Sequence, residues 1–418
     1  MFRSSNGKPH QYGTDTGSVT MRRCRLAIPL LGYRKTSFIH AHRPLRTLEA
    51  NLEDLEALRQ LQKLLLREVM HAEEKIRQLK SELRKTVAAE TAQSAKRLGY
   101  VNNRIEGFRR CAFVWRCFVD VIAFLYLDGF SLKQCFYSTE TTNPKQDAGF
   151  ILGKEGLADE LAILDSALEH GVPALLVDLT NTIRHGDVCL LGGPDPYLIE
   201  AKLGKKVNSR GRRQKRSLEK LHTFYEADEA TSLRGFTALR RRSNTTPVKS
   251  YLDVINECIR DSVNGGHAVR KPEHGLYYLV VSAEGSKLEK VLDALGVRNA
   301  VWPFFLNQHK ADRTWAPYSP FVLSIRDCDH LWDFIHGKLV IVVFIELDAL
   351  CKIADDGGYK ATFDSDDGEY PLRIEAPDGS SIGVSSHMLM RIGMEFLSPR
   401  WIVRTSLERV DTLSIERT

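Results

Sequence analysis

The sequence has no apolar run long enough to cross a lipid bilayer. The longest, Phe118–Leu127, is interrupted by Asp120 and has about half of the roughly 20 residues that a membrane-spanning helix needs. The basic and apolar residues 22–31 do not form a signal peptide, because their apolar part is short and contains Pro29. We therefore expect a cytoplasmic protein with no membrane partner.

Paired cysteines are also lacking. The eight cysteines show no CxxC pair and no spacing of a zinc site. Several stand in apolar runs, where cysteine behaves as a small buried hydrophobe, so we expect reduced thiols in an intracellular compartment. No phosphate-binding glycine loop, dinucleotide fingerprint or Ser/His/Asp elbow is present, and no ATPase activity is predicted.

Glycine and proline are absent from residues 45–98, where good helix formers dominate. Apolar residues such as Leu48, Leu52, Leu55 and Val69 recur there at alternating steps of three and four. The pattern predicts a long amphipathic helix, in either a coiled coil or a helical hairpin arm. We expect a homo-oligomer formed through this segment, since so long a helix has little reason to remain solitary. The alternative is that the helix packs on its own domain.

Length and composition predict more than one domain. A chain of 418 residues that is 43% hydrophobic and 27% charged can bury two or three separate cores. The predicted division is an irregular or disordered segment at 1–44, a coiled-coil helix at 45–100, a helical connector at 101–150, an α/β domain at 151–298, and an α/β or mostly-β accessory domain at 299–418.

Residues 151–298 carry the most regular pattern, which predicts helix, three strands, helix, strand and helix, with one additional helix after a polar insertion before the last strand. The helices are predicted at Gly156–His170, 212–225, 251–263 and 287–295. The strands are predicted at Ala174–Leu179, Asp187–Leu191, Tyr197–Lys202 and Leu276–Val281.

Two of these strands are joined by the tight turn Gly192–Asp195 and are therefore predicted to be antiparallel neighbours. Asp187, at the start of the first strand, should lie close to Glu200 and Lys202, at the end of the second. Glu200 and Lys202 are two residues apart and share a face of their strand. The sequence leaves open whether Asp187 lies on that face, because a shift of one residue in register reverses it.

An acidic pair beside a lysine suits phosphodiester hydrolysis. Carboxylates hold Mg²⁺ through oxygen ligands, Mn²⁺ being the other candidate, and we predict Asp187 and Glu200 as the metal ligands. The metal polarises the phosphate and lowers the pKa of a bound water. Lys202 can orient or deprotonate that water, or neutralise charge on the phosphate. The alternative is a surface salt bridge between Glu200 and Lys202.

Asp187 followed by Glu200-Ala201-Lys202 resembles the PD-(D/E)xK nuclease superfamily over about a third of the chain. The resemblance implies a restriction-endonuclease-like core, with a mixed sheet and helices on both faces. Glu160, on the preceding helix, corresponds to the further acid of many members. Gln214, on the following helix, resembles a glutamine found in several member families.

A basic run follows the hairpin directly and is offset only by Glu219. Its predicted nucleic-acid-binding members are Lys205, Lys206, Arg210, Arg212, Arg213, Lys215 and Arg216. Such a run binds polyanions by electrostatic attraction, although a charged helix is often no more than a solvated face. The sequence thus predicts a Mg²⁺-dependent nuclease acting on DNA, with phage defence or repair as the role suggested by analogy. The alternative is a catalytically inactive coiled-coil scaffold or nucleic-acid-binding protein with a nuclease-like core.

Overall fold

The computed structural model describes residues 28–87, 92–147, 149–201, 209–242, 246–282 and 301–416. Helices contain 55% and strands 17% of the residues, so the fold is mixed α/β. It divides into two compact units. Among the described residues, the N-terminal unit comprises 28–87, 92–147, 149–201, 209–242 and 307–339, and the C-terminal unit comprises 246–282, 301–306 and 340–416.

In the described residues, helices alternate with short strands after a largely helical beginning. The helices are α1 (Lys35–Ala50), α2 (Leu55–Val87), α3 (Ala92–Tyr126), α4 (Gly129–Phe136), α5 (Leu157–Glu169), α6 (Ser209–Ala227), α7 (Leu252–Gly265), α8 (Leu306–Asp312), α9 (Phe321–Ser324), α10 (Cys328–Ile335), α11 (Leu347–Asp355), α12 (Ser386–Met394) and α13 (Pro399–Glu416).

The strands form several small sheets with antiparallel pairing. They are β1 (Ala174–Leu176), β2 (Val188–Leu190), β3 (Tyr197–Ile199), β4 (Glu229–Ala230), β5 (Leu239–Arg240), β6 (His267–Glu273), β7 (Leu276–Ser282), β8 (Val301–Phe305), β9 (Leu339–Glu346), β10 (Lys360–Phe363), β11 (Leu372–Glu375) and β12 (Ser381–Val384). The sheet orders are β1-β2-β3, β4-β5, β6-β7-β9-β8 and β10-β11-β12.

The segment predicted as one long helix contains a break. The chain turns at residues 51–54 between α1 and α2, and Leu52, a predicted seam residue, is exposed there. α2 then packs against α3 as an antiparallel hairpin, in which Ile76 lies with Val101 and Ile105 in one apolar cluster. The hairpin alternative is thus present within the chain. Self-association stays a prediction.

Aromatic side chains join the N-terminal helices to residues 307–339. The ring of Phe38 in α1 lies 5.4 Å from that of Phe118 in α3 and 5.0 Å from that of Trp332 in α10. Burial of large aromatic rings is a strong source of packing energy. Residues 307–339 therefore pack in the core of the N-terminal unit, whereas the sequence pattern predicts them within an accessory domain at 299–418.

The C-terminal unit has a sheet of its own, and β7 lies in it beside β9. The strand predicted at Leu276–Val281 is therefore not part of the sheet that holds Asp187. Its core contains Leu279, Val281, Val342 and Phe344. The helix predicted at 287–295 lies outside the described residues.

The sheet β1-β2-β3 is covered at both edges by side chains. At one edge, the buried Gln62 of α2 donates to the carbonyl of Ala174 at 2.9 Å and accepts from the amide of Leu176 at 3.1 Å. At the other edge, His222 of α6 accepts from the amide of Leu198 at 3.2 Å. These bonds occupy backbone groups that an edge strand would leave exposed for pairing with another chain.

Within the described residues, no helix combines the length and apolar character that crossing a membrane requires.

Candidate functional site

The hairpin of β2 and β3 brings the two predicted metal ligands to one end of the sheet. Cys189 pairs with Leu198, and directly opposed residues share a face. The regular pairing ends at Val188 and Ile199. Asp187 stands just outside it, because its amide donates to Ile199 at the β3 side while its carbonyl accepts from Val177 at the β1 side. Asp187 and Glu200 therefore follow at the same end of the hairpin, and a common face for their carboxylates stays a prediction.

Gly186 allows the chain to enter β2 at this point. Its φ is +80°, and a Cβ there would lie 3.1 Å from the carbonyl oxygen of Ile199. A side chain would be strained by this backbone conformation and would also crowd β3. Asp187 is fixed by two further bonds, since its amide donates to Ile199 at 2.7 Å and its Oδ2 accepts from the Ala201 amide at 2.9 Å.

The Lys154 ammonium lies among three carboxylates. Its Nζ is 2.6 Å from Glu160 Oε1, 2.7 Å from Asp178 Oδ2 and 3.2 Å from Asp187 Oδ1. We call Lys154, Glu160, Asp178 and Asp187 the acidic cluster. Two of its acids, Glu160 and Asp187, were predicted as site residues, and the structure brings them together through a lysine that was not.

Charge is unevenly balanced in the acidic cluster. Partial burial works against the charged form of Lys154, but its hydrogen bonds to Asp178 and Glu160 outweigh this effect and raise its pKa. The lysine therefore stays protonated. Burial raises the pKa of Glu160, and the neighbouring charge of Asp187 adds to the rise while Lys154 opposes it. One cation thus serves three acidic side chains.

Glu160 projects from the first turn of α5. Its side chain is buried, and its Oε2 has no hydrogen-bond partner among the described residues. A carboxylate oxygen buried in this way carries a desolvation cost that a cation or a donor would offset. The amide of Glu160 donates to the carbonyl of Gly156 at 3.1 Å, so the first turn of the helix fixes the backbone position of Glu160.

Side chains of the helical hairpin α2–α3 hold the two segments that carry Lys154 and Asp178. Glu73 accepts from Arg116 at 2.9 Å and from the amide of Leu152 at 2.9 Å. Arg77 donates to the carbonyl of Leu152 at 2.7 Å. Arg116 also donates to the carbonyl of Asp178 at 3.2 Å. The segments that carry Lys154 and Asp178 are therefore held by polar contacts with the hairpin, three of them partly buried.

The other predicted residues fall into two groups. Lys202, Lys205 and Lys206 lie outside the described residues. Arg210, Arg212, Arg213, Gln214, Lys215 and Arg216 lie in the first turns of α6, where Gln214 is half-buried and Arg212, Arg213, Lys215 and Arg216 are exposed. The basic helix therefore does present cationic side chains to solvent.

Two histidines near the predicted site have structural partners. His185 is buried, with Nε2 2.9 Å from the Tyr137 carbonyl and Nδ1 3.2 Å from Lys145 Nζ. Burial lowers its pKa to about 4. His222 stacks on Tyr197 with the ring centroids 5.0 Å apart. Both residues position backbone rather than acting as exposed bases.

In the part of the chain that the structure describes, no group of three or more His, Cys, Asp or Glu side chains is arranged to hold a metal ion. The acidic cluster has three carboxylates, but they are arranged around an ammonium. Cation binding by these three acids would therefore require Lys154 to move.

Sequence reasoning did not single out Lys154 and Asp178. Asp178 directly follows the apolar run Ala174–Val177, and a carboxylate at the end of a buried strand was the available signal. Lys154 stands in the loop before α5 with no motif around it. Tertiary contacts alone reveal its role.

A comparison with known protein families, with curated proteins and with solved structures finds no match to this chain.

Proposed function

We propose that this chain is a Mg²⁺-dependent nuclease that hydrolyses phosphodiester bonds, with DNA as its substrate. The observation that carries the proposal is the convergence of Glu160, Asp178 and Asp187 at the end of the β2–β3 hairpin, on the side where Glu200 follows β3. The basic helix α6 comes next in the chain and supplies positive charge for a polyanion. The resemblance to the PD-(D/E)xK pattern agrees with this arrangement.

The donor set suits a hard divalent cation. Mg²⁺ prefers carboxylate oxygens and keeps several waters. The unpartnered, buried Oε2 of Glu160 is a further oxygen of this type. Asp187 and Glu200 would hold the ion, with Glu160 and Asp178 beside them, once the Lys154 ammonium has moved away from these carboxylates. When bound, Mg²⁺ supplies a water of lowered pKa and polarises the phosphate.

The chain's own residues perform the remaining tasks. The Ala201 amide holds the Asp187 carboxylate in place through Oδ2. Lys202 orients the attacking water, accepts its proton or neutralises charge on the phosphate. Lys154 neutralises part of the acidic cluster before substrate arrives, which lowers the repulsion among the three carboxylates.

Digestion of a nucleic-acid panel tests the proposal. Single- and double-stranded DNA and RNA are incubated with Mg²⁺ or Mn²⁺ and the wild type, Asp187→Asn, Lys202→Ala or Glu160→Gln. Glu169→Gln, an exposed position on the same helix α5, is the matched control. Cleavage by wild type and control, with loss of at least roughly a hundredfold in the other variants, is expected. Equal cleavage by Asp187→Asn would refute the assignment.

Binding and cleavage should separate by residue class. Replacement of Arg212, Arg213, Lys215 and Arg216 by alanine should weaken DNA binding and flatten its salt dependence, because fewer counterions are released. Asp187→Asn should bind as tightly as wild type or more tightly, since a negative charge near DNA is lost. Gel shifts in Ca²⁺ measure both. An unchanged salt slope in the fourfold variant would reduce α6 to a solvated face.

A second candidate function rests on Lys154. Its ammonium already occupies the space among three carboxylates, and this favours a catalytically inactive nuclease-like core that binds nucleic acid. DNA binding by wild type with no cleavage under any metal would support this function in place of the first.

A further inference from the structure

A cavity rich in arginine lies within the N-terminal unit, and Arg116 is among its lining residues. Its volume is about 200 Å³, and its walls come from α3, from residues 180–184 and from residues 312–316. Four guanidinium groups line it, against the two carboxylates of Asp147 and Asp312. They belong to Arg109, Arg116, Arg184 and Arg313.

Arg184 is held in place before any ligand binds. Its Nε donates to the carbonyl of Asn181 at 3.1 Å, and its Nη1 donates to the carbonyl of Lys145. The guanidinium lies over the ring of Phe136, 4.1 Å from the centroid. Its side chain is only 14% exposed, and burial lowers its pKa although Asp147 opposes the shift. Its charged partner is the Asp147 carboxylate, 2.6 Å away, and an anionic ligand could take the place of that carboxylate.

The wall that carries Arg184 is also rigid. Asp120 accepts from the amides of Asn181 and Thr182 at 2.9 and 3.0 Å, and from the Asn181 side chain at 2.7 Å. Arg116 is fixed between Glu73 and the carbonyl of Asp178. A preorganised site of this kind loses little conformational entropy when a ligand binds.

The carboxylates that pair with these arginines near solvent are weak competitors. Asp147, 2.6 Å from Arg184, is 82% exposed. Glu106 lies between Arg109 and Arg313, at 3.2 and 3.1 Å, and is 35% exposed. Solvent-exposed ion pairs contribute little net stability, because water and salt screen the two charges. A ligand with a doubly charged head group can therefore take their place.

We propose that this cavity binds one phosphate group through Arg109, Arg116, Arg184 and Arg313. The planar guanidinium forms paired hydrogen bonds with phosphate oxygens. The volume of about 200 Å³ falls below the roughly 300 Å³ at which small-molecule sites begin, so it suits a phosphate group rather than a whole nucleotide. The phosphate comes either from a free phosphate or monoester, or from the backbone of a nucleic acid.

Calorimetric titration of the full-length protein tests the site. The probes are inorganic phosphate, an oligonucleotide with a 5′-phosphate, and the same oligonucleotide without it. Wild type and Arg97→Gln, an exposed arginine on the same helix α3, are expected to bind at least one probe with equal Kd. Arg184→Gln and the double variant Arg109→Gln/Arg313→Gln should bind it at least roughly tenfold more weakly, because each variant loses charged hydrogen bonds to the phosphate.

The three probes also identify the source. Binding of phosphate or of the 5′-phosphorylated oligonucleotide alone indicates a terminal phosphate. Equal binding of both oligonucleotides, weakened in the cavity variants, indicates a backbone phosphate. No binding of any probe, or an unchanged Kd in the double variant, overturns the proposal. The double variant changes only half-exposed side chains, so it keeps the test valid if Arg184→Gln does not fold. Cleavage is not measured, and the result is independent of the proposed nuclease activity.

Discussion

His185 and Asp120 are two buried titratable groups of the N-terminal unit whose pKa values shift in ways that affect stability oppositely. Burial lowers the pKa of His185 from 6.5 to about 4. The folded state therefore resists protonation that the unfolded chain accepts, and stability is lost as pH falls from 6.5 towards 4. Between pH 7 and 4.5 this loss amounts to about 2 kcal/mol.

Asp120 acts in the opposite sense. Burial raises the pKa of its carboxyl from 3.8 to about 6, although the bonds from Asn181 and Thr182 work against the rise. The folded state binds a proton that the unfolded chain releases, so this contribution is complete below pH 3.8 and is lost as pH rises through 6. Acidification from pH 7 to 4.5 should therefore add about 2 kcal/mol. In the wild type the two effects nearly cancel.

Single substitutions should expose each effect. His185→Gln retains a donor for the Tyr137 carbonyl and an acceptor for Lys145, but it does not titrate. Asp120→Asn likewise removes one titration. Relative to the wild type, His185→Gln should gain about 2 kcal/mol on going from pH 7 to 4.5, and Asp120→Asn should lose about as much.

Urea unfolding at pH 7 and 4.5 measures both changes, and the comparison with the wild type removes the contribution of every other group. If both variants follow the wild-type pH dependence, the two groups titrate alike in the folded and unfolded states. The explanation by burial would then be wrong.

Three other perturbations test the contacts around the sheet and the hairpin. Gln62→Leu removes two hydrogen bonds to the backbone of β1 and should lower the free energy of unfolding, measured in urea, by about 2–4 kcal/mol. The control Gln60→Leu changes an exposed neighbour and should lower it by less than about 0.5 kcal/mol. Glu73→Gln leaves Arg116 without its charged partner and should lower the stability of the folded protein by about 3 kcal/mol. Glu74→Gln changes an exposed neighbour and should leave the stability unchanged. Equal stability of the two variants would contradict a supporting role for Glu73. If residues 45–98 mediate self-association, light scattering should give a mass above 47.3 kDa, and a monomeric mass at micromolar concentration would exclude it. Deletion of that segment should unfold the N-terminal unit, because the hairpin supports its core.

Local pattern was sufficient for the elements nearest the candidate site. The helix predicted at Gly156–His170 is α5, and the strands predicted around the turn at Gly192–Asp195 are β2 and β3. These elements follow from hydrophobic periodicity and turn chemistry, which are written in consecutive residues. The strand predicted at Ala174–Leu179 was too long, since Val177–Leu179 forms a 3-10 turn that brings Asp178 towards Lys154.

Long-range pairing was not available from the sequence. The pattern of Leu276–Val281 predicts a strand, yet nothing in it specifies which sheet the strand joins. Its neighbour β9 is more than fifty residues away along the chain, and that choice depends on the packing of the C-terminal unit. The same limit applies to residues 307–339, whose aromatic rings pack on α1 and α3 only after the chain has folded.

The sequence by itself determined the identity of the acids and their order along the chain. Glu160 stands on a helix, Asp187 and Glu200 stand at the hairpin that follows, and a basic helix comes next. Tertiary structure decided their surroundings. It set the register that leaves Asp187 and Glu200 at one end of the hairpin, and it brought Asp178 and Lys154 to the cluster. It also assigned Gln62 and Glu73 to the support of the site instead of to a free coiled-coil seam. The physical reason is that strand alternation and helix periodicity are local properties. The ion pairs and buried hydrogen bonds of this site join residues that are distant in the chain, and they form only when burial makes an unpaired polar group costly.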